Sequence, residues 1–189
     1  GCSVSDTVAV NDNSSPVAAV TAVTHLTCNG ANNGTATVTV TGGTSPYTYL
    51  WSPSAATTDT ASGLAPGTYT VVVTDANSCQ SLPAISPEIT QPNPIFIDTT
   101  VTSVSCFGNN DGAVTTTVSG GTPAYTYQWM PGGATTSAIN NLVTNTYTLQ
   151  LTDVNNCMQN LTVAVSQPDV LSSAISSTTD VACFGENTG

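Results

Sequence analysis

The sequence has no lysine and no arginine, against eleven acidic residues and a formal charge of −11 over 189 residues. A chain without a cationic side chain cannot neutralise phosphates, which excludes nucleic acid as a partner. It has nothing to hold it on an anionic membrane surface, and it offers trypsin no site. No apolar run approaches the roughly 18 residues of a membrane-spanning helix. No CxxC pair occurs, and the single histidine, His25, has no counterpart elsewhere, so zinc lacks a ligand set. Catalysis is excluded on similar grounds. A nucleophile–base pair needs a histidine or paired carboxylates within reach, but His25 stands alone and the acids are scattered one to a turn or linker. The chain reads as a non-enzyme without cofactors.

What is present points to an extracellular all-β protein. Only 6% of residues are charged, so Thr, Ser, Asn and Gly supply the solubility, while the 39% that are hydrophobic alternate with them. Alternation at that density is not the composition of a disordered chain. The opening "GCSVSD" has no initiator Met and no basic-then-apolar leader, and it starts in mid-pattern. The sequence is therefore read as a piece of a longer secreted protein. In that setting six cysteines suggest disulfides rather than metal.

The dominant signal is an internal repeat. "GGTSPYTYLW" at 42–51 returns as "GGTPAYTYQW" at 120–129, a shift of 78. The same shift relates Cys28 to Cys106, Tyr69 to Tyr147, Asp75 to Asp153 and Cys79 to Cys157. Cys2 and Cys183 extend the series at both ends with a spacing of 77. Proline seams, "QPNP" at 91–94 and "QPD" at 167–169, complete the division. Residues 1–15 are the last strand of a preceding repeat with its linker, 16–92 and 93–168 are full repeats, and 169–189 are the first strand of a following one.

Each repeat alternates with period two, the pattern of half-buried antiparallel strands. Ala36, Val38 and Val40 share one face of "TATVTVT"; Tyr69, Val71 and Val73 share one face of "TYTVVVTD". Strands are expected at A (17–27), B (35–41), C (47–51), a short C′ (55–58), E (59–64), F (68–74) and G (79–90). "TDANSC" and "TDVNNC" read as turns in which Asp75 and Asp153 accept backbone N–H bonds. The expected core is Trp51, Tyr69 and Leu64 in one repeat and Trp129, Tyr147 and Leu142 in the other. Each tyrosine is placed to cap a crossing between sheets. Burying such an aromatic contributes about 2–3 kcal/mol. The architecture is a tandem array of immunoglobulin-like or fibronectin-like β-sandwiches, beads on a string.

The order Cys, "GNNDG", GG, the YxYxW strand, the turn before "TY", DxxxC and "QP" resembles the SprB repeat family, which is named for a gliding-motility adhesin of Bacteroidetes-type bacteria. The resemblance covers both full repeats and both partial ends; Asn145 departs from it where the first repeat has Gly67. It implies a very long cell-surface protein, exported by the type IX route and moved along the cell surface, with no catalytic role.

Strand directions bear on the cysteines. If A runs from the leading end of its sandwich to the trailing end, Cys28 lies in the trailing A–B loop, while Cys79 opens G at the leading end. A strand of eight to ten residues separates those places by about 25–30 Å, whereas a disulfide needs Cα atoms within about 7 Å. The trailing loop of one repeat faces the F–G turn of the next, which favours Cys28 with Cys157, the other four cysteines pairing outside the sequence. Pairing within each repeat, Cys28 with Cys79 and Cys106 with Cys157, stays open, as does Cys79 with Cys106 along the linker.

Three smaller signals weigh less. "GNNDG" (108–112) and "NDNS" (11–14) offer oxygens for calcium, but "GANNG" (30–34) has no acid, so Asx-turn chemistry is the better reading. Phe96, Phe107 and Phe184 are the aromatics outside the repeated core, and packing at seams accounts for Phe107 and Phe184. "DTV" (6–8), "DTA" (59–61) and "DTT" (98–100) fit a short glycan-acceptor pattern that a Thr-rich chain also matches by chance. The expected function is a structural and adhesive stalk segment of a cell-surface filament. Its partners are neighbouring repeats, with surface polysaccharide or other filament subunits as candidates. The alternatives are a carbohydrate-binding array attached to a secreted enzyme and a self-assembling filament or surface-layer subunit.

Overall fold

A computed structural model of the chain describes residues 14–174 and 176. Cys2, Cys183, Phe184, the acceptor pattern at 6–8 and most of "NDNS" lie outside the described residues. So do the greater parts of the partial repeats expected at 1–15 and 169–189.

Among the described residues every regular element is a strand. The first repeat holds β1 (Val17–Thr24), β2 (Gly34–Thr41), β3 (Thr48–Ser52), β4 (Thr60–Leu64), β5 (Thr70–Thr74) and β6 (Ala84–Ile85). They form two three-stranded sheets in the orders β1-β2-β4 and β3-β5-β6, with antiparallel pairing throughout. Period-two alternation sends one face of each strand inward. Ala36, Val38, Ala61 and Leu64 from one sheet are buried with Trp51, Val71 and Val73 from the other. Register puts Trp51 opposite Val71 and Tyr49 opposite Val73. Leu26, Tyr69 and Ile89 complete the cluster.

The second repeat follows the same plan. Its strands are β7 (Phe96–Thr102), β8 (Gly112–Ser119), β9 (Tyr125–Met130), β10 (Ala138–Leu142), β11 (Asn145–Asp153) and β12 (Met158–Val165). The sheets are β7-β8-β10 and β9-β11-β12. Val114, Trp129, Leu149 and Leu151 are fully buried; Ile139, Leu142, Tyr147 and Val165 are nearly so. The fold is therefore two immunoglobulin-like β-sandwiches in tandem.

By compactness the chain forms two units whose borders differ from the repeat seams. One takes in the described residues up to Ile97 together with Val118–Thr126 and Leu151–Gln159. The other takes in Asp98–Thr117, Tyr127–Gln150 and the described residues from Asn160 onward.

Two expected strands differ from the structure. No C′ strand forms over 55–58. The Ala55 amide donates back to the Trp51 carbonyl, and Ala55 has a φ of 56°, which interrupts an extended chain. The Trp51 amide takes the Ala56 carbonyl, and its indole N–H takes the Thr58 carbonyl at 2.9 Å. G in the first repeat shrinks from the expected 79–90 to β6, flanked by isolated bridges Thr74–Gln80 and Gly67–Ile89. Pro83 and Pro87 lack the N–H that a ladder needs.

Candidate functional site

The part of the fold with a built, recurring polar arrangement is the F–G turn, which ends on a cysteine. Asp75 follows β5, and its Oδ1 accepts the amides of Asn77 and Cys79 at 2.9 and 2.8 Å. Its Oδ2 accepts the amide of Thr44, at 2.9 Å, from the loop before β3. Asp153, at the end of β11, accepts from Asn155, Cys157 and Thr122, each at 2.9 Å. One carboxylate thus fixes both a tight turn and the double-glycine loop beside it. Gly43 and Gly121 have φ of 67° and 61°, where a side chain is strained. A Cβ at Gly43 would also lie 3.2 Å from Asp75 Oδ2, and one at Gly121 would lie 3.1 Å from Asp153 Oδ2.

Burial pushes both aspartates up, but the three backbone donors outweigh it and hold each carboxyl below its ordinary value of 3.8. Asp111 is also held low, first by the Ser105 hydroxyl and then by the Ser105 amide. That pair commits the "GNNDG" acid to closing the A–B loop back onto Ser105, six residues earlier. In the first repeat Asn33 takes the same place, accepting from the Thr27 amide and donating to its hydroxyl. Among the described residues no three His, Cys, Asp or Glu side chains lie close enough to share a metal ion.

The second cysteine position is the A–B loop. Its turn is closed by Ala31 N–H to Cys28 O at 3.2 Å, and in the second repeat by Asn109 N–H to Cys106 O at 3.1 Å. The seam glutamines anchor it: Gln91 Oε1 accepts the Gly30 amide at 2.8 Å, and Gln167 Oε1 accepts that of Gly108 at 3.1 Å. His25, just after β1, holds the segment that leads into the seam, its Nδ1 accepting the Thr90 amide at 3.1 Å.

Within the first compact unit the two kinds of turn meet. Cys28 and Cys157 are joined by a disulfide, with Cα atoms 5.6 Å apart and a sequence separation of 129. Asn155 Nδ2 donates to the Thr27 carbonyl at 3.3 Å beside it. Asn29, Pro92, Asn156 and Met158 line the cleft around the bridge. Cys79, half-buried, and Cys106, exposed, are free thiols.

The remaining singled-out residues act within their own sandwiches. Trp51, Trp129, Tyr69, Tyr147, Leu64 and Leu142 are all buried. The Tyr69 hydroxyl donates to the Ala65 carbonyl at 3.0 Å, and that of Tyr147 to Val143 at 3.2 Å, a tyrosine corner in each repeat. The Trp129 indole donates to the Thr136 carbonyl, as Trp51 does to Thr58. Sequence reasoning missed the seam glutamines, treating "QP" as a boundary alone. It also missed Gly34 and Gly112, where a Cβ would come within 3.0 Å of Ile89 and Val165 side chains respectively. Both pairs recur at like places in the repeat, and that recurrence was the available signal.

Two segments of the chain, 20–56 and 99–134, match the family model of the SprB repeat. No curated protein is significantly similar to it. Solved structures similar to it include the three N-terminal domains of the highly immunogenic outer capsid protein (Hoc) of bacteriophage RB49, at 16% identity and TM-score 0.45. Another is the C-terminal fragment of intimin in complex with the intimin-binding domain of its translocated receptor, at 18% identity and TM-score 0.43. The alignments take in 80% and 78% of this chain but 59% and 64% of those two chains.

Proposed function

Starting from a chain that carries two SprB repeats, we propose that it is a non-catalytic structural and adhesive segment of a long cell-surface filament of the gliding-motility adhesin type. The observation that carries this reading is what the recurring residues do. The recurring pairs Asp75 and Asp153, Trp51 and Trp129, Tyr69 and Tyr147, and Gln91 and Gln167 spend their hydrogen bonds on the turns, loops and strand crossings of their own repeats. A molecule that repeats its folding residues in this way multiplies length. The Cys28–Cys157 bridge suits an oxidising, extracellular setting, and the absence of Lys and Arg removes every tryptic site.

Beads coated with an antibody against residues 14–174, added to living cells of the source organism, test the reading. Beads carried along the cell surface are the expected result. Beads that bind and stay fixed would reduce the role to a static stalk, and no binding to intact cells would remove the surface assignment. A glycan array probed with the same chain checks the alternative, a carbohydrate-binding array; robust, saturable binding would favour it.

A further inference from the structure

We infer that the free cysteines Cys79 and Cys106 are two unmatched halves of the Cys28–Cys157 bridge, and that each marks a docking face for a further copy of the same repeat. This rests on the repeat-array reading above and names the partner and the chemistry of its joints.

The argument is an internal comparison. Cys106 occupies in the second repeat the place of Cys28 in the first, and its loop has the same closing turn and the same glutamine anchor. Cys79 occupies the place of Cys157, held by the same aspartate with the same three acceptor bonds. Both free thiols therefore stand in scaffolds that elsewhere in this chain already carry a disulfide. Their surroundings fit an uncovered joint. Phe107 and Leu171 are 57% and 99% exposed, and with Ser105, Pro168 and Asp169 they border the Cys106 thiol. In the first repeat the matching Asn29 and Pro92 line a cleft together with Asn156 and Met158. The occupant that this face fits is an Asp-anchored F–G turn, and the chain contains that turn twice.

The linking step is thiol–disulfide exchange. A low-molecular-weight disulfide such as oxidised glutathione accepts the two electrons: two protein thiols and one RSSR give one protein disulfide and two RSH. The general rule is that an A–B-loop cysteine bonds the F–G-turn cysteine of the next repeat, so that a run of repeats is stitched at every joint.

The test is a chain in which residues 93–168 are duplicated in tandem within the full sequence, oxidised with glutathione and mapped with a non-tryptic protease. The expected result is two disulfides: Cys28 with Cys157 of the first duplicate, and Cys106 of the first duplicate with Cys157 of the second. Cys157→Ser in the first duplicate alone should then expose Cys28 to alkylation and leave that Cys106 protected. If Cys106 of the first duplicate reacts freely while Cys28–Cys157 has formed, the chain is folded and the inference is overturned. It is equally overturned if the single Cys157→Ser change frees Cys106, which would place the bond within one repeat, or if Cys28 links to Cys79.

Discussion

The two repeats close their second sheet in different ways. In the second, β12 runs unbroken for eight residues from Met158 to Val165. In the first, the same edge yields a two-residue strand and two isolated bridges. The chain takes twelve steps from Cys79 to Gln91 but ten from Cys157 to Gln167. Two extra residues and two prolines must therefore be absorbed, yet Ile89 and Val165 end equally buried against their cores. Serines repair the first repeat. The Ser86 hydroxyl accepts the buried Tyr69 amide at 2.9 Å, and the Ser81 hydroxyl accepts that of Val73 at 3.0 Å. A sheet edge can lose its ladder and keep its register, provided that each stranded donor finds a side-chain acceptor.

The sharpest way to break this comparison is to empty each core in turn. Trp51→Ala and Trp129→Ala should each cost about 3–5 kcal/mol in the sandwich that holds the residue. Scanning calorimetry of the full chain should show one transition displaced and another held. Two transitions moving together would mean that the repeats unfold as one body and that comparing them as separate domains is mistaken.

The serine repair is tested next. Ser86→Ala leaves the Tyr69 amide buried without an acceptor and should cost about 1–3 kcal/mol. Thr162→Ala, at an exposed position of β12, should change stability by no more than about 0.5 kcal/mol. Equal losses in denaturant titrations would show that the hydroxyl of Ser86 does nothing special.

The smallest expected difference is in acid, because both repeats use the same aspartate. Asp75 and Asp153 titrate below 3.8 in the folded chain, so their stabilisation is complete above the unfolded value. It is lost as pH falls through the lowered folded values. Melting temperature followed down through this range should drop for both transitions in parallel. Asp75→Asn should flatten the dependence of the first repeat alone, since an amide cannot accept all three N–H bonds. A first repeat whose acid sensitivity survives that change would point to another carboxylate.

Much of this was legible because the sequence states it twice. The recurrence of "YTYxW" located the central strand, and "TDxNxC" announced a turn closed by an aspartate, because each pattern carries its chemistry within a few residues. The last strand of the first repeat was not legible in the same way. "CQSLPAISPEI" keeps enough alternation to suggest a strand, while the side-chain bonds from Ser81 and Ser86 depend on partners eight and seventeen residues away. The C′ segment failed for a related reason: its carbonyls are claimed by Trp51, a tertiary preference that no local propensity encodes. Gln91 and Gln167 lay in plain view, but they reach back about sixty residues to the loops they hold.

The Cys28–Cys157 bond also changes what a pull on the two ends of the chain would meet. A covalent path enters at Cys28 and leaves at Cys157, bypassing the stretch of chain between two cysteines separated by 129 positions. Fully extended, that segment would be about 450 Å long. While the bond is intact this length cannot be paid out, and the strands between the two cysteines can unravel only as a closed loop. A reductant would release the hidden length in solution that leaves both hydrophobic cores chemically untouched. Extension traces taken with and without reductant would differ by up to about that length, which makes this one bond a mechanical fuse for most of the described chain.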